Sequence, residues 1–197
     1  SNAFLTCSAA PILDAQGRVL LEACMPIPDL QFVAVCDIWP YNLRYGANYL
    51  QKFGHNVSSH EDFEEFLSAG KDKGMQAVII ATPDIWHSPY TVQALKAGFH
   101  VYCEKMMSNT VEGARAMVRA MKETGKLLQI GHQRRSNPRY IHALEKIMRS
   151  GMLGRVVNAG GQWNRSIRGS VDLTWPERYA LPQATLDLCR RSDAILF

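Results

Sequence analysis

No apolar run in this chain approaches the roughly 20 residues that a membrane-spanning helix needs. No cysteine pair stands at metal-ligand spacing: there is no C-x-x-C pair, and there is no Ser-His-Asp order and no G-x-S-x-G elbow. Those gaps exclude a zinc or dithiol centre and the usual serine-hydrolase arrangement. Basic blocks are missing too: the net charge is only +4, and Lys and Arg are scattered without interleaved aromatics, so no nucleic-acid partner is expected. The five cysteines (Cys7, Cys24, Cys36, Cys103, Cys189) are odd in number and widely spaced, and three fall in or beside apolar runs. Buried thiols explain them better than a disulfide framework does. Repeats and low-complexity segments are absent. With 47% hydrophobic and 20% charged residues, the composition is that of an ordinary globular protein.

What is present is alternation. Apolar runs at residues 32–36, 77–81, 100–103 and 126–131 predict buried strands, with a brief strand near Val57. Helical patterns fall between them, at residues 18–25, 41–53, 88–97 and 109–123, with another up to Ala69 after the Ser59-His60-Glu61-Asp62 start signal. Ser88 is expected to cap the helix that Pro89 opens and Gly98 ends. Asn109 is expected to cap the next, with Glu112 in capping-box position. Asn137-Pro138 opens a helix to about Arg149, and residues 155–163 read as a last strand. Strands separated by helices of about ten residues predict an α/β, Rossmann-like doubly wound parallel sheet.

In such a sheet, ligands bind beyond the carboxyl ends of the strands. The run ending Val101-Tyr102-Cys103-Glu104-Lys105 puts an acid and a base there, and Lys105 becomes the leading candidate for chemistry. The run 77–81 ends on Thr82-Pro83, with His87 five residues after Thr82; such a histidine can also be purely structural. His132-Gln133-Arg134-Arg135 follows strand 126–131, and its two arginines are either a solvated pair or a site for an anionic substrate. Gly17 and Asp37 are 20 residues apart, close to the separation of a dinucleotide fingerprint from its ribose-binding acid. An acid at Asp37 repels a 2′-phosphate and favours NAD over NADP. The fingerprint is itself incomplete. Pro11-Ile12-Leu13-Asp14-Ala15-Gln16-Gly17 keeps only the last glycine, and a proline and an acid near the phosphates predict weak cofactor binding.

Taken together, Val35-Cys36-Asp37, Ala81-Thr82-Pro83-Asp84 with His87, the stretch Leu95 to Lys105, and Gly131 to Arg135 resemble the Gfo/Idh/MocA oxidoreductases, over roughly residues 15–185. The resemblance implies an NAD(P)-binding Rossmann domain at residues 4–150, followed by a shortened substrate and oligomerisation domain at 151–197. It implies NAD-dependent hydride transfer on a sugar, cyclitol or related polyol. By the same resemblance Lys105 is catalytic and Asp37, Thr82, Pro83, His87 and Glu104 are cofactor-binding; the spacing to Asp37 adds Gly17 to the cofactor set, and their place on the rim makes Arg134 and Arg135 the candidates for substrate. A homo-oligomer is part of this expectation. One departure concerns the proline that follows Glu-Lys in the family. It is Met106 here, and a cis bond without proline costs about 2.5–4 kcal/mol.

Beyond Trp163 the regularity fails, and no later segment resembles the Asp-and-His helix of the family. A truncated enzyme, or a non-catalytic nucleotide-binding remnant of one, is therefore expected. Ser1-Asn2-Ala3 reads as a purification-tag scar with no methionine after it. A cytoplasmic location is expected, with an exported protein lacking its signal as the alternative.

Overall fold

The computed structural model describes residues 5–9 and 15–162. The expectations for Pro11 to Asp14, for the tail beyond Trp163 and for Cys189 lie outside these residues. The chain divides into two compact units, Ser1–His132 and Gln133–Phe197.

The first unit alternates strand and helix: β1 (Leu5–Ala9), α1 (Ala15–Cys24), β2 (Ala34–Cys36), α2 (Pro40–Lys52), β3 (Ser58–His60), α3 (Phe63–Asp72), β4 (Ala77–Ile80), α4 (Asp84–Lys96), β5 (His100–Cys103), α5 (Val111–Thr124) and β6 (Leu128–Ile130). All pairings are parallel, in the order β3-β2-β1-β4-β5-β6. This is the doubly wound arrangement, with the order reversing between β1 and β4. The first strand escaped the sequence reading, yet it pairs with both β2 and β4 at the centre of the sheet.

Alternation along the strands builds two cores. Ala34, Cys36, Val78 and Ile80 join Phe66, Leu95, Phe99 and Met117 in one cluster. Val35 and Ile79 point the other way and join Leu21, Phe32, Leu43 and Leu50 in the second. Successive side chains of a strand face opposite sides, so a buried parallel strand must be apolar throughout. Burial also sets the thiol chemistry: Cys36 and Cys103 are both pushed up to about 12 by desolvation, so neither is a nucleophile near neutral pH.

Helix boundaries depart from expectation where capping is concerned. Helix α4 starts at Asp84 rather than Ser88, so Pro89 lies inside it. Pro83 sets an extended entry and Asp84 places an acid in the first turn, where the helix dipole favours it. Ser88 Oγ instead donates to the Gly113 carbonyl at 2.9 Å and fastens α4 to α5. Thr110, not Asn109, caps α5: its hydroxyl oxygen accepts from the Gly113 N–H at 3.0 Å. Asp62 caps α3 by accepting from the N–H groups of Glu64 and Glu65.

In the second unit a single 3-10 turn (Gln133–Ser136) precedes α6 (Pro138–His142), opened as expected by Asn137, and a π-helical stretch (Ala143–Met148) continues it. The expected strand at 155–163 does not form within the described residues 155–162. A strand exists by pairing, and no described segment pairs with it.

Candidate functional site

Four expected residues meet at one edge of the first unit because each follows a strand of one parallel sheet. Asp37 follows β2, Thr82 lies two residues past β4, and Glu104 and Lys105 follow β5. The register that pairs Ile80 with Cys103 brings the last two strands level. Beyond it the Glu104 N–H donates to the Ile80 carbonyl at 2.8 Å.

Asp37 is 1% exposed, and its Oδ1 accepts the Trp39 N–H at 2.7 Å. Its own N–H donates to the His60 carbonyl at the end of β3. A carboxylate so held is preorganised as an acceptor. Gly17, in the first turn of α1, is buried.

Glu104 is also buried, and both oxygens are engaged. Oε1 accepts from the Tyr102 hydroxyl at 3.2 Å and Oε2 from the Lys105 N–H at 3.1 Å. Burial first, then the neighbouring Glu104 charge, pushes the Tyr102 phenol up to about 12, so it stays a donor. Gly131, past β6, makes room for the pair. A Cβ there would stand 2.7 Å from the Tyr102 hydroxyl and 2.8 Å from Glu104 Oε1. Tyr102 and Gly131 were not singled out from the sequence. The available signal was that residues two apart on a strand share a face, which puts Tyr102 beside Glu104.

Lys105 is exposed, and the peptide bond joining it to Met106 is cis. Thr82 is buried, and its Oγ1 has no hydrogen-bond partner; the same holds for Asn42 Nδ2 in the first turn of α2. A buried hydroxyl without a partner is costly. At the ligand-binding edge of a doubly wound sheet it fits a polar group of a bound molecule, and so supports a dinucleotide there. Pro83 is exposed beside it.

His87 lies beneath this edge, only 1% exposed, with Nδ1 2.5 Å from the Met106 carbonyl oxygen and Nε2 2.8 Å from that of Thr82. Its ring faces main chain on both sides.

Arg134 and Arg135 belong to the second unit. With Tyr140, Ile141 and Leu144 they line a groove of about 480 Å³, and Arg134 Nη1 donates to the Tyr140 hydroxyl at 3.1 Å. Among the described residues no group of three or more His, Cys, Asp and Glu side chains could hold a metal ion. No described helix is long and apolar enough to cross a membrane.

Residues 15–132 match the oxidoreductase family with an NAD-binding Rossmann fold, Gfo/Idh/MocA, over more than half of the chain. The chain is 32% identical over 141 residues to an inositol 2-dehydrogenase of Rubrobacter xylanophilus, covering 71% of this chain and 38% of that enzyme. It is 31% identical over 126 residues to the NADP-dependent scyllo-inositol 2-dehydrogenase of Bacillus subtilis, covering 64% and 35%. A solved NAD-binding protein from Listeria innocua superposes with a TM-score of 0.63 at 26% identity, covering 79% of this chain and 42% of that one. The chain thus spans less than half the length of these relatives. On its motif, fold and family match alike, it belongs to the Gfo/Idh/MocA oxidoreductases.

Proposed function

We propose that the carboxyl edge of the first unit binds NAD(H), and that the protein serves hydride transfer on a sugar, cyclitol or related polyol. The observation that carries this is the convergence of Asp37, Thr82, Glu104 and Lys105 on one sheet edge, with the Thr82 hydroxyl buried and unpartnered. The names of the matched relatives support the polyol class.

Asp37 accepts from ribose hydroxyls, and its charge disfavours a 2′-phosphate, so NAD is preferred to NADP. The hydroxyl of Thr82 takes up a polar group of the cofactor. Pro83 lines the nicotinamide side, and Gly17 lies at the start of α1, toward the phosphates. Bound NAD supplies the hydride acceptor. Lys105, exposed at the edge, holds or moves the proton of the substrate hydroxyl through Nζ. Glu104 fixes the Lys105 main chain through its N–H. Within the second unit, Arg134 and Arg135 line a groove whose charge suits an anionic group.

Titration of NADH fluorescence tests the reading. Saturable quenching that weakens in Asp37→Ala supports it, and unaltered binding in that variant removes Asp37 from the site. Turnover with a polyol panel then separates an active dehydrogenase from a nucleotide-binding remnant.

A further inference from the structure

We propose that His87 is the positioning residue of the Lys105 turn, a strut from the first turn of α4 to the main chain just past the lysine. The inference deepens the reading of Lys105 as the reactive amine and rests on it. The Lys105 main chain is held through its N–H, which donates to Glu104 Oε2 at 3.1 Å. The next fixed point is the Met106 carbonyl, 2.5 Å from His87 Nδ1. His87 Nε2 stands 2.8 Å from the Thr82 carbonyl, so one ring spans the ends of two neighbouring strands.

The strut has a firm base. His87 lies in the first turn of α4, and the adjacent Ser88 fastens that helix to α5 through the Gly113 carbonyl. At 1% exposure no water competes for either ring nitrogen. Met106 is half-exposed, and its side chain offers the turn little packing. The Met106 carbonyl is therefore held by hydrogen bonding rather than by a core. Loss of the strut frees the main chain on the far side of Lys105 and so the base from which its amine extends. A displacement of about 1 Å is enough to spoil a proton transfer.

A neutral imidazole carries one N–H and donates to one carbonyl only. The proposal places that proton on Nδ1, on the shorter contact, toward Met106. This makes the proposal sharply testable, because the amide nitrogen of asparagine falls near Nδ1 of histidine and that of glutamine near Nε2. His87→Asn keeps a donor toward the Met106 carbonyl; His87→Gln places its amide near the Thr82 carbonyl instead and leaves Met106 without one.

Hydrogen–deuterium exchange across residues 104–109 reads the turn directly, with thermal melts to establish that each variant is folded. The expected result is wild-type protection in His87→Asn and exchange about tenfold faster in His87→Gln, the loss of roughly one hydrogen bond. Equal exchange in the two variants overturns the strut, and so does protection kept by glutamine and lost by asparagine. NADH titration of the same proteins separates this from the cofactor reading. The predicted exchange pattern without NADH binding in any of them upholds the strut and removes the nucleotide from the edge.

Discussion

The ends of β2 and β4 both turn a polar side chain out of an apolar strand, yet they are finished differently. At β2 the Asp37 carboxylate is occupied by the Trp39 N–H, two residues on. At β4 the Thr82 hydroxyl is buried too and has no partner. At one end the protein's own main chain supplies a hydrogen bond to the side chain, while at the other the hydroxyl has none and a ligand can supply it. Sites that violate a local rule in this way are where function is stored at the expense of stability.

Substitutions should expose that asymmetry. The largest effect is expected beside β5, where Gly131→Val forces a side chain against the Tyr102 hydroxyl and Glu104 Oε1. Displacing that buried pair should cost about 1–3 kcal/mol in urea unfolding, as overpacking does elsewhere. Asp37→Ala strands the Trp39 N–H and should cost a similar or smaller amount, about 1–2 kcal/mol, while also weakening NADH binding. Thr82→Val should do the reverse for stability. Removing a buried, unpartnered hydroxyl should stabilise by up to about 1 kcal/mol while weakening NADH. A loss of stability in Thr82→Val would erase the distinction between the two ends.

The smallest effect is one of pH. His60, which accepts the Asp37 N–H through its carbonyl, has its imidazole held below the ordinary 6.5, chiefly by burial and then by Lys73. His55 is lowered by burial as well, and its Nδ1 accepts the Phe32 N–H, which requires the unprotonated nitrogen. Both groups bind a proton more weakly folded than unfolded. Their contribution is therefore complete above 6.5 and is lost as pH falls through and below that value. Urea midpoints should fall over that range, and His55→Asn with His60→Asn should flatten the slope.

The same contrast explains what could be read from the chain. The ends of β4 and β5 were legible because each is an apolar run stopping on a polar residue, and β5 matched its expected limits at residues 100–103. Strand β1 was not, since Leu5-Thr6-Cys7-Ser8-Ala9 mixes small polar residues into a short run. Its central place comes from pairing on both sides, which no local pattern encodes. Pro89 suggested a helix start because proline favours that position, but Pro83 and Asp84 begin the turn earlier. The convergence of Asp37, Thr82, Glu104 and Lys105 followed from strand ends sharing an edge. The contact of His87 with the Met106 carbonyl depends on tertiary distance and was invisible, whereas the Tyr102–Glu104 pair, two residues apart, had a local signal in the strand's alternation.

The central claim, that this edge holds the nicotinamide dinucleotide, is tested most directly by mapping amide chemical shifts during an NADH titration. Such mapping registers even the weak binding that Pro11 and Asp14 lead us to expect. The account predicts saturable changes at residues 37–39, 81–83 and 104–106, reduced together in Asp37→Ala. Changes confined to other surfaces, or none at saturating NADH, would contradict it.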